Sequence, residues 1–444
     1  MEQENKEIGR ENGALSITDY EKSRLMAVLE GISARIIFGF TTGAFLTGFL
    51  KYMGAEDKLC GQIAAIPVLA GVIQFISPIF LEKLNRRKPL VTCLNTLHRL
   101  LLVLMVFIPL LPLPMTERLY LVAAMYLLSY LLLNIVAPAS TTLIISLVPQ
   151  GMRGKYFSTR EIYLIFISSV MNIMMGRVVD HFEMTGNAYG GYIVMYGIAF
   201  MAMIMNLISF LKMKEPPLPS SQKLSLKKMF VMPFKEPRFK KIIFLFLIWG
   251  LSVNFSSPFF SVYMVSQLRL SYTFITICGC VNAVSYVTAV RMWGRIADKK
   301  SFTYSAMLSI ALLGLTHFLW FFAGNGIALT GAIVITLHIL SGISWGGVNI
   351  SLLNIPYEYT PDEGRTVYLG FNAAISGLVG FLSSMLASWI VGAMDKYRAD
   401  MFGMEMTQFQ IIFAISGVLI MVAALYIRNV ILKPVKHNKL EKSR

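Results

Sequence analysis

Charge is scarce in this chain: 14% of its 444 residues are Asp, Glu, Lys or Arg, against 56% apolar ones, and the mean hydropathy is +0.63. A soluble core has no room for that much apolar surface, so lipid must be part of the solvent. Acids are scarcer than bases, 24 against 40, for a net charge of +16. That surplus could be read as a nucleic-acid footprint, but the bases are dispersed over short loops beside apolar runs instead of gathered on one soluble face, which argues against nucleic acid as a partner. Cysteine numbers only four. Cys60 sits at a span boundary, Cys93 lies in a span, and Cys278 and Cys280 point to different sides of a helix, so structural thiols are the favoured reading. The Gly-rich loop with Lys-Ser/Thr that cradles nucleotide phosphates is missing, and so is metal-ligand spacing beyond Asp180, His181 and Glu183 in one hydrated loop. No cofactor or metal is expected, and a polytopic acyl- or glycosyl-transferase lacks its catalytic constellation. The opening segment MEQENKEIGRENGALSITDYEKSR has no basic n-region followed by a short apolar core, so no signal peptide is expected to be removed.

What the chain has is apolar runs of about 20 residues or more, the length that carries a helix across roughly 30 Å of hydrocarbon. Helix is forced there, because backbone groups in lipid must be satisfied within the segment. Between polar breaks the sequence predicts twelve spans, near 26–50, 61–81, 90–111, 118–147, 159–179, 191–212, 242–265, 273–294, 303–323, 327–353, 367–393 and 408–430. An even count puts both termini on one side of the membrane. On that side fall Lys83, Arg86, Arg87 and Lys88; Arg153, Lys155 and Arg160; the loop from Lys212 to Lys241; Arg291 to Lys300; Arg365; and the tail from Arg428. With the N-terminal segment these hold about thirty of the 40 Lys and Arg, and the alternate loops about six. The asymmetry predicts a multi-pass protein of the cell membrane with both termini in the cytoplasm. The expected organisation is a cytoplasmic segment over 1–24, a six-helix bundle over 25–212, a linker over 213–241 carrying Pro216, Pro217 and Pro219, a second six-helix bundle over 242–430 and a basic tail over 431–444.

The two halves repeat each other at an offset of roughly 210 residues. PIFLEKLNRRK, Pro78 to Lys88, falls on GRIADKKS, Gly294 to Ser301, with Glu82-Lys83 opposite Asp298-Lys299. Pro149 to Tyr156, with Arg153, falls on Pro361 to Tyr368, with Arg365. Correspondences in the same order and on the same side indicate a parallel duplication of six spans. Gly294-Arg-Ile-Ala-Asp298-Lys299 resembles the loop signature of the major facilitator superfamily, and Glu82-Lys83-Leu-Asn-Arg86-Arg87 resembles its fuller first-half copy. The first copy departs from the pattern, with Pro78 for a glycine, Glu82 for aspartate and Asn85 for the second glycine. The resemblance implies an all-α polytopic protein of two six-helix bundles around a central cavity that opens alternately to either side. It also implies that Glu82 and Asp298 clasp a neighbouring helix end or Arg153 or Arg365 when one side is closed. The alternative is that these charges only anchor helix ends among the headgroups.

A solute site is expected among polar groups at mid-depth, where charge is expensive and usually faces a cavity or a partner. In the first half the candidates are Glu30 and Arg35 on span one, His98 and Arg99 on span three, Asn134 on span four, and Glu161 and Arg177 on span five. Arg35, Phe38, Thr42 and Phe45 recur at helical steps and are expected to share one face. The second half offers mostly uncharged groups: Trp249, Asn254, Asn282, Tyr286, His338, Trp345, Asn349 and Asn372. Each also has a plainer reading. Arg35 and Arg99 pair with Glu30 or Glu161 to hold the bundle together, His98 and His338 make helix-helix hydrogen bonds, the asparagines glue helices, and Trp345 packs against a neighbour. The function expected is secondary transport of a small solute by alternating access, coupled to protons or sodium, by a monomer, with a lean towards a polar or anionic solute. Efflux of lipophilic compounds and a non-transporting sensor on the carrier fold are the competing readings.

Overall fold

The computed structural model describes residues 16–75, 77, 86–216, 233–325, 329–360, 365–401 and 403–432. In the first half the helices are α1 (Ile17–Phe40), α2 (Gly43–Tyr52), α3 (Asp57–Ala70), α4 (Lys88–Leu104), α5 (Met115–Ser146), α6 (Arg153–Met184) and α7 (Ala188–Lys212). The second half has α8 (Pro237–Asn254), the short α9 (Phe259–Val262), α10 (Tyr272–Lys299), α11 (Phe302–Leu319), α12 (Thr330–Tyr359), α13 (Arg365–Ala393) and α14 (Gln408–Tyr426). Eleven stretches among the described residues are long and apolar enough to cross a membrane, and the pair α1–α2, taken as one span, brings the number to twelve. Local chemistry sets several ends. Ser16 and Asp19 close a capping box on α1, and Thr407 and Gln410 do the same on α14.

Two spans that read as continuous in sequence are broken. The pair α1–α2 bends by 42° at Thr41 and Thr42, whose hydroxyls bond back to the Ile37 and Phe38 carbonyls. Gly43 then takes up a positive φ of 58°. Thr42 is therefore a helix-break residue, and the expected common face of span one does not form: Phe38 is 57% exposed while Phe45 is buried at 2%. The seventh span stops at Asn254, turns through Pro258, resumes as α9 and closes in a π-turn over Tyr263–Gln267. Hydroxyls from other spans reach the carbonyls around that break. Ser383 Oγ donates to Leu251 O at 2.6 Å, Ser416 Oγ to Ser252 O at 2.8 Å, and Ser384 Oγ to Asn254 O at 2.7 Å.

The chain divides into two compact units. The first holds Met1–Gly54 and Ile73–Ser225, and α1 packs there on α6 and α7 while α4 packs on α5 and α7. The second holds Ala55–Val72 and Leu226–Arg444, so α3 packs on α13 within it. A two-stranded hairpin, β1 (Ala399–Met401) and β2 (Met404–Met406), joins α13 to α14, with Asp400 opposite Glu405. It has no counterpart in the sequence reading.

Candidate functional site

In the first unit α1 buries Glu30, with 8% of its side chain exposed, on the face that meets α4 and α6. Two guanidinium groups converge on that carboxylate. Arg160, from α6, donates through Nη2 to Oε2 at 3.1 Å, and Arg99, from α4, brings its Nη2 to 3.6 Å from Oε1. Arg160 is also held by Nε to the Ala27 carbonyl at 3.0 Å, and Arg99 by Nη1 to Asn95 O and Oδ1 at 3.1 and 3.0 Å. The Glu30 carbonyl and Ser33 Oγ accept from Asn206 Nδ2 of α7 at 3.1 and 3.0 Å. One acid thus gathers four helices. Only a residue without a Cβ at position 31 lets Arg160 through, because a methyl there would collide with its guanidinium. Gly31→Ala is expected to push Arg160 off Glu30 and lower the melting temperature of the purified protein, whereas alanine at Gly197, with open space around it, should leave it unchanged.

These groups border a cavity of about 470 Å³, which Arg35, Phe38, His98, Tyr130, Leu102 and Leu164 also line. Arg35 and Glu161 form a second ion pair at 2.5 Å, with side chains 41% and 46% exposed. His98 is buried and bonds through Nδ1 to Ser129 O and Oγ at 3.0 and 2.6 Å. Of the sequence candidates, Glu30, Arg35, His98 and Arg99 therefore lie together, with Glu161 beside them. Arg160 is a correction. It reads as a loop base in sequence but sits within α6, its head on Glu30. The missed signal was spacing: Arg160 and Leu164 stand one turn apart on the face of α6 that lines the cavity.

The other candidates do not join this cavity. Asn134 and Asn254 donate to carbonyls of their own helices, Tyr130 O at 2.8 Å and Gly250 O at 2.9 Å, and the Asn254 amide lies against Gly380. Asn282 does link two helices, to His338 O at 2.9 Å, while His338 Nδ1 turns to Val334 O of its own helix at 2.8 Å. Trp249 and Trp345 meet edge to face at 5.9 Å, and Gly347 beside them lies against Trp293 and Ser309. Tyr286 is partly buried, Asn349 is exposed, and Asn372 is 2% exposed with neither amide atom hydrogen-bonded. The second unit also contains a knot that the sequence reading missed. His317 Nδ1 lies 3.0 Å from Ser256 Oγ and 3.1 Å from Ser416 Oγ, and the two hydroxyls are 2.9 Å apart.

Of the expected loop clasps, Glu82 and Lys83 lie outside the described residues, and so does the side chain of Arg365. Arg86 is exposed, and the backbone N–H groups of Arg87 and Lys88, which open α4, donate to Glu215 at 2.8 and 3.2 Å. Arg153 donates to Val148 O at 3.1 Å. Among the described residues Asp298 and Lys299 are exposed and make no ion pair, while Gly294 faces Ile350. No group of three or more His, Cys, Asp or Glu among the described residues could hold a metal ion.

A family model described as Major Facilitator Superfamily matches residues 31–384. Among solved structures, a mutant of the nucleoside transporter NupG is similar with a TM-score of 0.72 at 12% identity, covering 91% of this chain and 99% of that one. A D-xylose-proton symporter is similar at 0.66 and 15%, covering 92% and 96%. The inward-open xylose transporter XylE from E. coli follows at 0.61 and 15%, covering 92% and 95%. Identities this low speak for a shared fold alone. No curated protein matches the chain in sequence.

Proposed function

Because the chain belongs to the Major Facilitator Superfamily, we propose that it carries a small polar or anionic solute across the cell membrane by alternating access, drawing on a proton or sodium gradient, with both termini in the cytoplasm. The observation that carries this reading is the buried Glu30–Arg99–Arg160 cluster at the wall of a cavity of about 470 Å³. Charges buried in a membrane protein are costly and persist where they serve a pathway or a partner. The same groups bind one another and border a cavity, which supports the reading. Glu30 at the cavity wall and Glu161, paired with Arg35, are the acids proposed to couple solute to the ion gradient. The cation surplus at the wall favours this reading over efflux of lipophilic cations. The clasps of Glu82 and Asp298 remain part of the proposal as gates.

Reconstituted vesicles with an imposed proton or sodium gradient test the reading, with uptake of radiolabelled solutes from several chemical classes as the measurement. Saturable, gradient-driven uptake of one class is expected. Arg99→Gln and Arg160→Gln should each reduce it at least about tenfold, the equivalent of one lost contact of roughly 1.4 kcal/mol. Uptake equal to that of protein-free vesicles for every class would favour the sensor reading instead.

A further inference from the structure

Resting on the reading that this cavity is the solute site, we infer that it takes an organic solute with one net negative charge, a monocarboxylate with an apolar body, and that Glu30 sets the count at one.

The argument is the number of charges and donors around the cavity. Arg99 and Arg160 bring two positive charges, their side chains only 5% and 16% exposed, and they share the single carboxylate of Glu30. Glu161 does not supply the missing charge, because Arg35 holds it in a separate pair at 2.5 Å. His98 adds no charge: it is buried, its Nδ1 is bonded to Ser129, and an imidazolium there would have no acid of its own. The cluster therefore carries one uncompensated positive charge in a site shielded from water, where leaving it unpaired is expensive.

Hydrogen bonding points the same way. A guanidinium has five N–H donors in a planar fork. Arg99 uses Nη1 on Asn95, and at 3.6 Å its Nη2 is too far from Glu30 for a hydrogen bond, so Nε and Nη2 donate to no acceptor among the described residues. Arg160 uses Nε on Ala27 and Nη2 on Glu30, and its Nη1 donates to none. Two forks with spare donors at one cavity wall suit a planar acceptor with two oxygens, which a carboxylate is. Of the remaining wall, Leu102, Leu133, Leu164, Ile37 and Phe38 are apolar and fit the hydrocarbon part of such a solute. Arg35, which also lines it, already has its counter-charge in Glu161, so no second unpaired cation awaits another charged end.

The charge count makes a prediction that a merely structural cluster would not. Glu30→Gln keeps the shape of the side chain and removes its charge, so the surplus rises to two and the preferred solute becomes a dicarboxylate. The experiment follows the melting temperature of the full-length purified protein during titration with matched series of aliphatic and aromatic monocarboxylates, their amides and the corresponding dicarboxylates. For wild type, a saturable rise with a monocarboxylate and at least about tenfold weaker binding of its amide and of the dicarboxylate are expected. For Glu30→Gln the order of mono- and dicarboxylate should invert. An amide that binds as well as its acid, no shift with any monocarboxylate, or an unchanged order in a folded Glu30→Gln protein would each overturn the inference. The comparison of acid with amide needs only wild type, so a poorly folding variant does not remove the test. Vesicle uptake of the same compounds separates the two readings. Binding of a monocarboxylate without flux would sink transport and leave the charge rule standing. Flux of a neutral solute lost in Arg99→Gln would do the reverse.

Discussion

Glu30→Ala is expected to cost about 3–5 kcal/mol of stability, the penalty for stripping the counter-charge from buried cations. Arg99 and Arg160 would face each other with no acid between them, and the anchor joining α1, α4 and α6 would be lost. Melting of the purified protein, followed by a buried-thiol dye at Cys60 and Cys278, measures the loss. Removing the excess cations as well should recover much of it: the triple variant Glu30→Ala, Arg99→Leu, Arg160→Leu is expected to melt above Glu30→Ala alone, because an apolar replacement of the whole cluster leaves no orphaned charge. A triple variant less stable than the single one would mean that the arginines hold the bundle by contacts other than the acid, such as those to Ala27 and Asn95. Transport should be absent in both.

The second large effect belongs to the knot around the break in span seven. Ser416 both donates to Ser252 O and faces His317 and Ser256, so Ser416→Ala orphans several polar groups in a fully buried place. Each such group costs about 1–3 kcal/mol. His317→Ala should be damaging through the same groups. In a double-mutant cycle the pair should couple by about 0.5–3 kcal/mol, the second substitution costing less once the first has been made. Additive losses would mean that the three side chains are neighbours without acting as a network.

How much of this could be read from the sequence differs from one element to the next. The spans were legible because lipid imposes a single solution on a long apolar run, helix. The expected duplication rests on the loops, where charge and turn chemistry recur in the same order. Breaks inside spans were not, since Thr41, Thr42 and Ser256 are ordinary residues in an apolar run and become break residues only through what they bond to. Arg160 was misplaced for a related reason. A base near the end of an apolar run reads as a loop anchor, yet α6 begins at Arg153 and carries Arg160 two turns into the helix. The pairing of Arg35 and Arg99 with the two acids was visible as an alternative but not its sharing, one carboxylate between two arginines, because sequence spacing does not say which helices are neighbours. His317 was overlooked since its partners, Ser256 and Ser416, are two of many serines and lie far from it in the chain.

The partnership of α3 with α13 bears on how the protein is made. The ribosome completes Asp57–Ala70 long before it reaches Arg365–Ala393. At about 5–20 residues per second, the usual rate of synthesis, the early helix waits roughly 15 to 60 s for its late companion. Until Phe259 and Gln267 of span seven arrive to meet Gly61 and Asp57, it must survive in the bilayer on its own apolarity or in the keeping of an insertase. A nascent chain stalled before Arg365 would present that waiting face to whatever quality control patrols the membrane, and a crosslinker placed on α3 should catch it.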